Sequence, residues 1–84
     1  MSFRAWLAPV AVRQVHGLPD QVIDELVRLL ARICEAPYDM VVSAPVRPGD
    51  LSKRVAELGE HGFVEFLVDE DAALVRVYAV AWVG

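Results

Sequence analysis

The sequence predicts a single α+β domain. A short N-terminal strand leads into a two-helix hairpin, then a three-stranded antiparallel meander with the helices packed on one face. Three observations carry this. The stretch from Gly62 to Gly84 holds two β-branched and aromatic runs flanking the acidic turn Asp69-Glu70-Asp71-Ala72, the pattern of a hairpin. Arg76 is the only charge in its second run, which is apolar on both faces. Such a strand needs cover on both sides and belongs inside a sheet. An amphipathic helix over residues 20–36 is wide enough to provide that cover.

Residues 3–7 form the first strand, with Phe3, Ala5 and Leu7 on one side and Arg4 and Trp6 on the other. Pro9 suits the first turn of a helix, whose inner side takes Val12, Val15 and Leu18. Gly17 ends that helix with Pro19 just beyond, leaving His16 as a surface or capping residue of its last turn. Asp20 is the N-cap of the second helix. Val22, Leu26, Leu29, Leu30 and Ile33 make one stripe, widened by Ile23, Val27 and Cys34. Asp24 and Arg28 pair four apart on the opposite face, Arg32 favours the C-terminal dipole, and Pro37 stops the helix.

Three prolines and a Pro-Gly pair make residues 36–50 a loop, with a brief extended piece at residues 40–43. Residues 51–58 read as a strand, with Lys53, Val55 and Glu57 alternating against Arg54, Ala56 and Leu58. A turn at residues 59–62 enters the hairpin, whose first strand puts Val64, Phe66 and Val68 on one face.

At 84 residues the chain holds one domain, residues 1–84, and one core. A chain this short buries about 60–65% of its unfolded surface. Its apolar fraction of 56% exceeds the globular norm of about 45–50%, so some of that surface is meant for another chain. Cys34 is the only cysteine; it forms no internal disulfide and reads as a buried helix thiol. The apolar N-terminal stretch is short, contains Pro9, ends at Arg13 and lacks a cleavage region, so it does not read as a signal peptide. No run is long enough to span a membrane, and the expectation is a cytoplasmic protein. A net charge of −4 argues against a general polyanion binder, although a local basic patch remains compatible with it. The Asp69-Glu70-Asp71 spacing matches no calcium loop, and there is no glycine-rich phosphate loop.

Several segments taken together resemble the RelE/ParE superfamily of bacterial toxins. Trp6-Leu7-Ala8-Pro9-Val10-Ala11 resembles that family's first strand running into an alanine-bearing helix, and Gly17-Leu18-Pro19 its interhelical turn. Pro37-Tyr38 resembles the step closing its second helix. Val64-Glu65-Phe66-Leu67-Val68-Asp69, followed by Val75-Arg76-Val77-Tyr78-Ala79-Val80, resembles its last hairpin. The resemblance implies the toxin of a two-gene toxin–antitoxin pair, with a cognate antitoxin as partner. One branch of the family cleaves messenger RNA in the ribosome; another poisons DNA gyrase.

For the RNase branch the resemblance implies a metal-independent endoribonuclease that uses no cofactor. Lys53, Arg54, His61 and Arg76 would be its catalytic candidates, with Arg47 and Trp82 as RNA-binding residues. Cleavage at a 2′-hydroxyl needs a base, a cation for the phosphate and an acid for the leaving group. His61 has the unperturbed pKa for acid–base work near neutrality, and Trp82 an indole that can stack on a base. The family usually has an arginine at the start of the second strand of the meander, where this chain has His61-Gly62-Phe63, and another in the last strand and tail, where it has Trp82 and Val83. The alternative is a non-catalytic binding protein on the same fold, either gyrase-directed or binding only an antitoxin. Neither reading involves a membrane, and a homodimer is a further assembly open to both.

Overall fold

The computed structural model describes residues 3–83. Its elements in chain order are β1 (Arg4–Leu7), α1 (Pro9–His16), α2 (Asp20–Glu35), β2 (Ser43–Arg47), β3 (Asp50–Leu58), β4 (Gly62–Asp69) and β5 (Leu74–Trp82). They build one sheet of order β1-β5-β4-β3-β2. β1 runs parallel to β5, and the other three pairings are antiparallel. β5 lies between β1 and β4, the interior position that its two-sided apolar pattern requires. Gly84, the last residue of the expected strand, lies outside the described residues.

Both helices cover the same face. Val22, Leu26, Leu29 and Ile33 of α2 join Ala11 of α1 against Ala56, Leu58, Val64, Phe66, Val68, Val75, Val77 and Val80 of the sheet. The 4-3-4 spacing of the α2 residues keeps them in one line on the helix. Val27, expected to widen that line, is exposed, as is Val12 of α1. Ala8 and Ala11 take the inner position of α1 instead, together with Val15 and Leu18. Their small side chains let the helix start close to β5, where the Ala8 amide donates to the Val77 carbonyl at 2.9 Å. The N-cap of α2 is Pro19 rather than Asp20, which sits in the first turn beside the positive end of the dipole. The Phe3 amide donates to the Cys34 carbonyl, tying the start of the sheet to the end of α2. Cys34 is half-buried, and burial raises its thiol pKa.

The meander has a fourth strand. β2 pairs with β3 through residues 43–47, just beyond the expected extended piece at residues 40–43. Pro45 and Pro48 argue against a strand in the middle of a sheet, but β2 is an edge strand, where a missing amide costs no ladder bond. Pro48-Gly49 forms the tight turn between them, and Gly49 takes φ +88° there.

A bulge decides which residues of β5 face the core. Glu65 pairs with Ala79 but Phe66 pairs with Val77, so Tyr78 is the extra residue. Strict alternation from Val75 and Val77 would turn Val80 and Trp82 away from the helices. The bulge resets the phase, and both pack inward.

Candidate functional site on the open face of the sheet

The face of the sheet away from the helices carries Arg4 and Trp6 of β1, Lys53 and Val55 of β3, Glu65 and Leu67 of β4, and Arg76 of β5. Their neighbours along each strand fill the core, and side chains alternate. A groove of about 470 Å³ opens there, lined by Val46, Arg47, Lys53, Glu65, Leu67 and Tyr78, with Arg54 and Phe66 in its floor. Arg47 arrives from the end of β2, and the bulge supplies Tyr78, which is 45% exposed. Two cations, one carboxylate and one phenol therefore line a single depression.

Strand register extends the site sideways. Leu67 pairs with Lys53 on one side and with Arg76 on the other, and Arg76 pairs with Trp6. Trp6, Arg76, Leu67 and Lys53 thus form one row across four strands, spaced by about 4.8 Å per strand. The Arg76 guanidinium is not free. Its Nε donates to Asp69 Oδ2 at 3.0 Å, a terminal nitrogen lies 2.9 Å from the same oxygen, and it sits 5.4 Å from the Trp6 ring centre. Arg76 thus pairs with Asp69 and not with Glu65, which stays in the groove. Asp69 also accepts from the Ala72 amide, and that bond, followed by the Arg76 contact, lowers its pKa.

Arg54 has a different place from the one its neighbour suggests. It is 1% exposed and faces the helical side with Ala56 and Leu58. Nε donates to Ser43 Oγ at 2.8 Å, and a terminal nitrogen donates to the Leu51 carbonyl at 3.0 Å. The other terminal nitrogen reaches the Ser43 carbonyl at 3.1 Å, and the Tyr38 carbonyl and Met40 Sδ at 3.4 Å each. The guanidinium also lies 5.6 Å from the Tyr38 ring centre. This buried cation holds the loop before β2, β2 itself and the start of β3 together through neutral acceptors. Among the described residues, no buried side-chain nitrogen or oxygen lacks a partner.

His61 and Trp82 belong to the other end of the sheet. His61 is exposed in the turn before Gly62, which pairs with Trp82. Gly62 lies five residue steps along β4 from Leu67, the partner of Lys53, a distance of about 17 Å. Trp82 packs on the core side, so its indole is turned away from the open face. The structure brings Arg47 and Lys53 together with Arg76 nearby, seals Arg54 beneath them, and separates His61 and Trp82 from the group. Sequence reasoning missed Glu65, Tyr78 and Trp6 as members. Strand alternation already placed Glu65 and Trp6 opposite the core residues, whereas Tyr78 depends on the bulge.

Among the described residues, no helix is long and apolar enough to cross a membrane, and no group of three His, Cys, Asp or Glu could hold a metal ion. No known protein-family pattern and no curated protein matches the sequence. Solved structures do match. A chain of the RelBE2 toxin–antitoxin complex from Mycobacterium tuberculosis superposes with a TM-score of 0.82 at 19% identity, over 99% of this chain and 100% of the other. A mutant of the Escherichia coli toxin RelE in the free state gives 0.82 at 17% identity, over 98% and 84%. The archaeal RelE–RelB complex from Pyrococcus horikoshii gives 0.77 at 16% identity, over 98% and 96%. The fold is that of the RelE toxins, as the resemblance anticipated.

Proposed function

We propose that this chain, built on the RelE fold, is the toxin of a toxin–antitoxin pair and a ribosome-dependent endoribonuclease that cuts messenger RNA in the groove of its open face. The observation that carries the reading is the convergence of Arg47, Lys53, Glu65 and Tyr78 on one depression of that fold. Cleavage at a 2′-hydroxyl joins the 2′-oxygen to the adjacent phosphorus and breaks the bond from phosphorus to the 5′-oxygen. Lys53 and Arg47 hold the phosphate and offset the charge that develops on it. Glu65 takes the proton of the 2′-hydroxyl, and Tyr78 gives one to the departing 5′-oxygen. Arg76, oriented by Asp69, adds positive potential one strand pair away. Arg54 acts from beneath by fixing the β2–β3 hairpin that presents Arg47 and Lys53. The ribosome supplies most of the docking surface, which suits a chain of net charge −4.

The antitoxin covers the apolar surface between α2 and β2, where Met40 and Val41 are exposed, Val41 by 86%. They border a cleft of about 480 Å³ that also includes Leu29 and Val42. Copurification with the product of an adjacent small gene tests this part. A monomer whose Met40→Ser, Val41→Ser variant binds that product equally well contradicts it.

Purified protein added to mRNA-programmed ribosomes tests the activity. Cleavage within codons that falls at least about 100-fold in the Lys53→Ala, Arg47→Ala double variant supports the reading. One feature favours the alternative: a carboxylate, Glu65, stands among the groove's cations and weakens its hold on phosphate. In that case the chain arrests growth by binding, with DNA gyrase as a target, and transcripts stay intact.

A further inference from the structure

We propose that Trp6, backed by Arg76, is a base-stacking subsite for single-stranded RNA at the edge of the open face; this rests on the nuclease reading above. Trp6 lies on β1, one of the two edge strands of the sheet, and is 42% exposed. Its indole is not part of the core cluster. The Arg76 guanidinium lies against it at 5.4 Å, and Arg4 shares its side of β1. Asp69 fixes the angle of that guanidinium through two hydrogen-bonding distances of about 3 Å.

An aromatic ring with an oriented arginine on one side and solvent on the other suits a nucleobase, because stacking and the cation both add to the contact. The row from Trp6 through Arg76 and Leu67 to Lys53 then sets the geometry. Trp6 stands two strands, or about 10 Å, from Leu67 in the wall of the groove. A short single strand along the row places one base over Trp6 and a phosphate further along, three strands or about 14 Å away, between Lys53 and Arg47. Stacking tolerates every base, so this subsite adds affinity without selecting sequence. On this row and at the positions beside it on the open face, Arg4, Arg76, Lys53 and Arg47 outnumber Asp69 and Glu65. That balance favours a polyanion over an acidic or apolar protein segment as the occupant.

The test uses the purified chain, programmed ribosomes and three variants: Trp6→Leu, Trp6→Phe and Lys53→Ala. Leucine keeps the apolar cover of the strand and removes the stacking face, whereas phenylalanine keeps both. Trp6→Leu is expected to raise the protein concentration for half-maximal cleavage about tenfold, with Trp6→Phe within about twofold of the parent. Melting temperatures should be unchanged in both. Equal loss in the Leu and Phe variants overturns the subsite, because it marks a packing role. Parent-like cleavage by Trp6→Leu alongside a failing Lys53→Ala overturns the subsite and leaves the nuclease intact. Weakened antitoxin binding with normal cleavage also overturns it and assigns Trp6 to a protein contact. No cleavage by the parent chain removes the nuclease reading and this inference together.

Discussion

The two faces of the sheet use positive charge in opposite ways, and β3 shows it within two residues. Lys53 points to the open face and lines a solvent-filled groove; Arg54 points to the helices and has no exposed surface to speak of. Arg54 is surrounded by carbonyls, a hydroxyl and a thioether, so its charge is spread over neutral dipoles without a carboxylate. The guanidinium suits that task, because its planar fork offers five donors in fixed directions. An ammonium on a flexible stem suits the other, since it follows a phosphate as a point charge. Adjacent cations thus divide the work: one holds the hairpin and the other lines the open groove.

The largest expected effect breaks this contrast on the inner side. Arg54→Ala strips three carbonyls and the Ser43 hydroxyl of their donor and leaves a void, at a cost of about 3 kcal/mol or more. Urea unfolding reads it as a fall in midpoint, whereas Lys53→Ala should stay within about 0.5 kcal/mol of the parent. Equal stability of the two variants would erase the distinction between the faces. The proposed nuclease predicts that Lys53→Ala loses cleavage while keeping the urea midpoint of the parent.

Much of this contrast could be read from the chain, and the residues that could not share a cause. Arg54 alternates with Lys53 and shares its parity with Ala56 and Leu58, so its inward direction was already present in the pattern. What the pattern lacks is a reason to bury an arginine; its acceptors come from residues 38–51, a stretch whose prolines conceal an edge strand. The α2 stripe and the interior position of β5 were legible because periodicity reports burial directly. Trp82 and Tyr78 were not, because one bulge shifts the phase of β5 and no residue type announces it. The separation of His61 from Lys53 is a matter of register, which follows from pairing and not from local composition.

Smaller effects sharpen the comparison at the turns. Gly59 has φ +61°, and a Cβ there would lie 2.8 Å from Glu25 Oε2. Gly59→Ala should lower stability by about 1–2 kcal/mol, seen as a lower melting temperature. Ala73 has φ +54° at the end of the β4–β5 turn, so Ala73→Gly should gain up to about 1 kcal/mol. Unchanged melting in the first variant, or a loss in the second, would contradict the strain assigned to these turns.

The smallest expected effect is on acid stability at the open face. The folded state lowers the pKa of Asp69, so the unfolded chain binds its proton more tightly. The resulting stability is complete above the ordinary carboxylate value of 3.8 and is lost as pH falls through the lower folded value. Asp69→Asn should flatten the acid limb of the urea midpoint between about pH 5 and pH 2. It leaves the share from Asp50, whose pKa is lowered by the Ser52 hydroxyl and amide. An acid limb as steep as the parent's would show that the Asp69–Arg76 pair adds nothing to folding.

Primer extension on cellular messenger RNA after induction of the chain tests the nuclease claim most directly. Breaks inside translated codons, absent when Lys53→Ala, Arg47→Ala is induced to the same level, are the predicted result. Growth arrest with an intact transcript pool would contradict it.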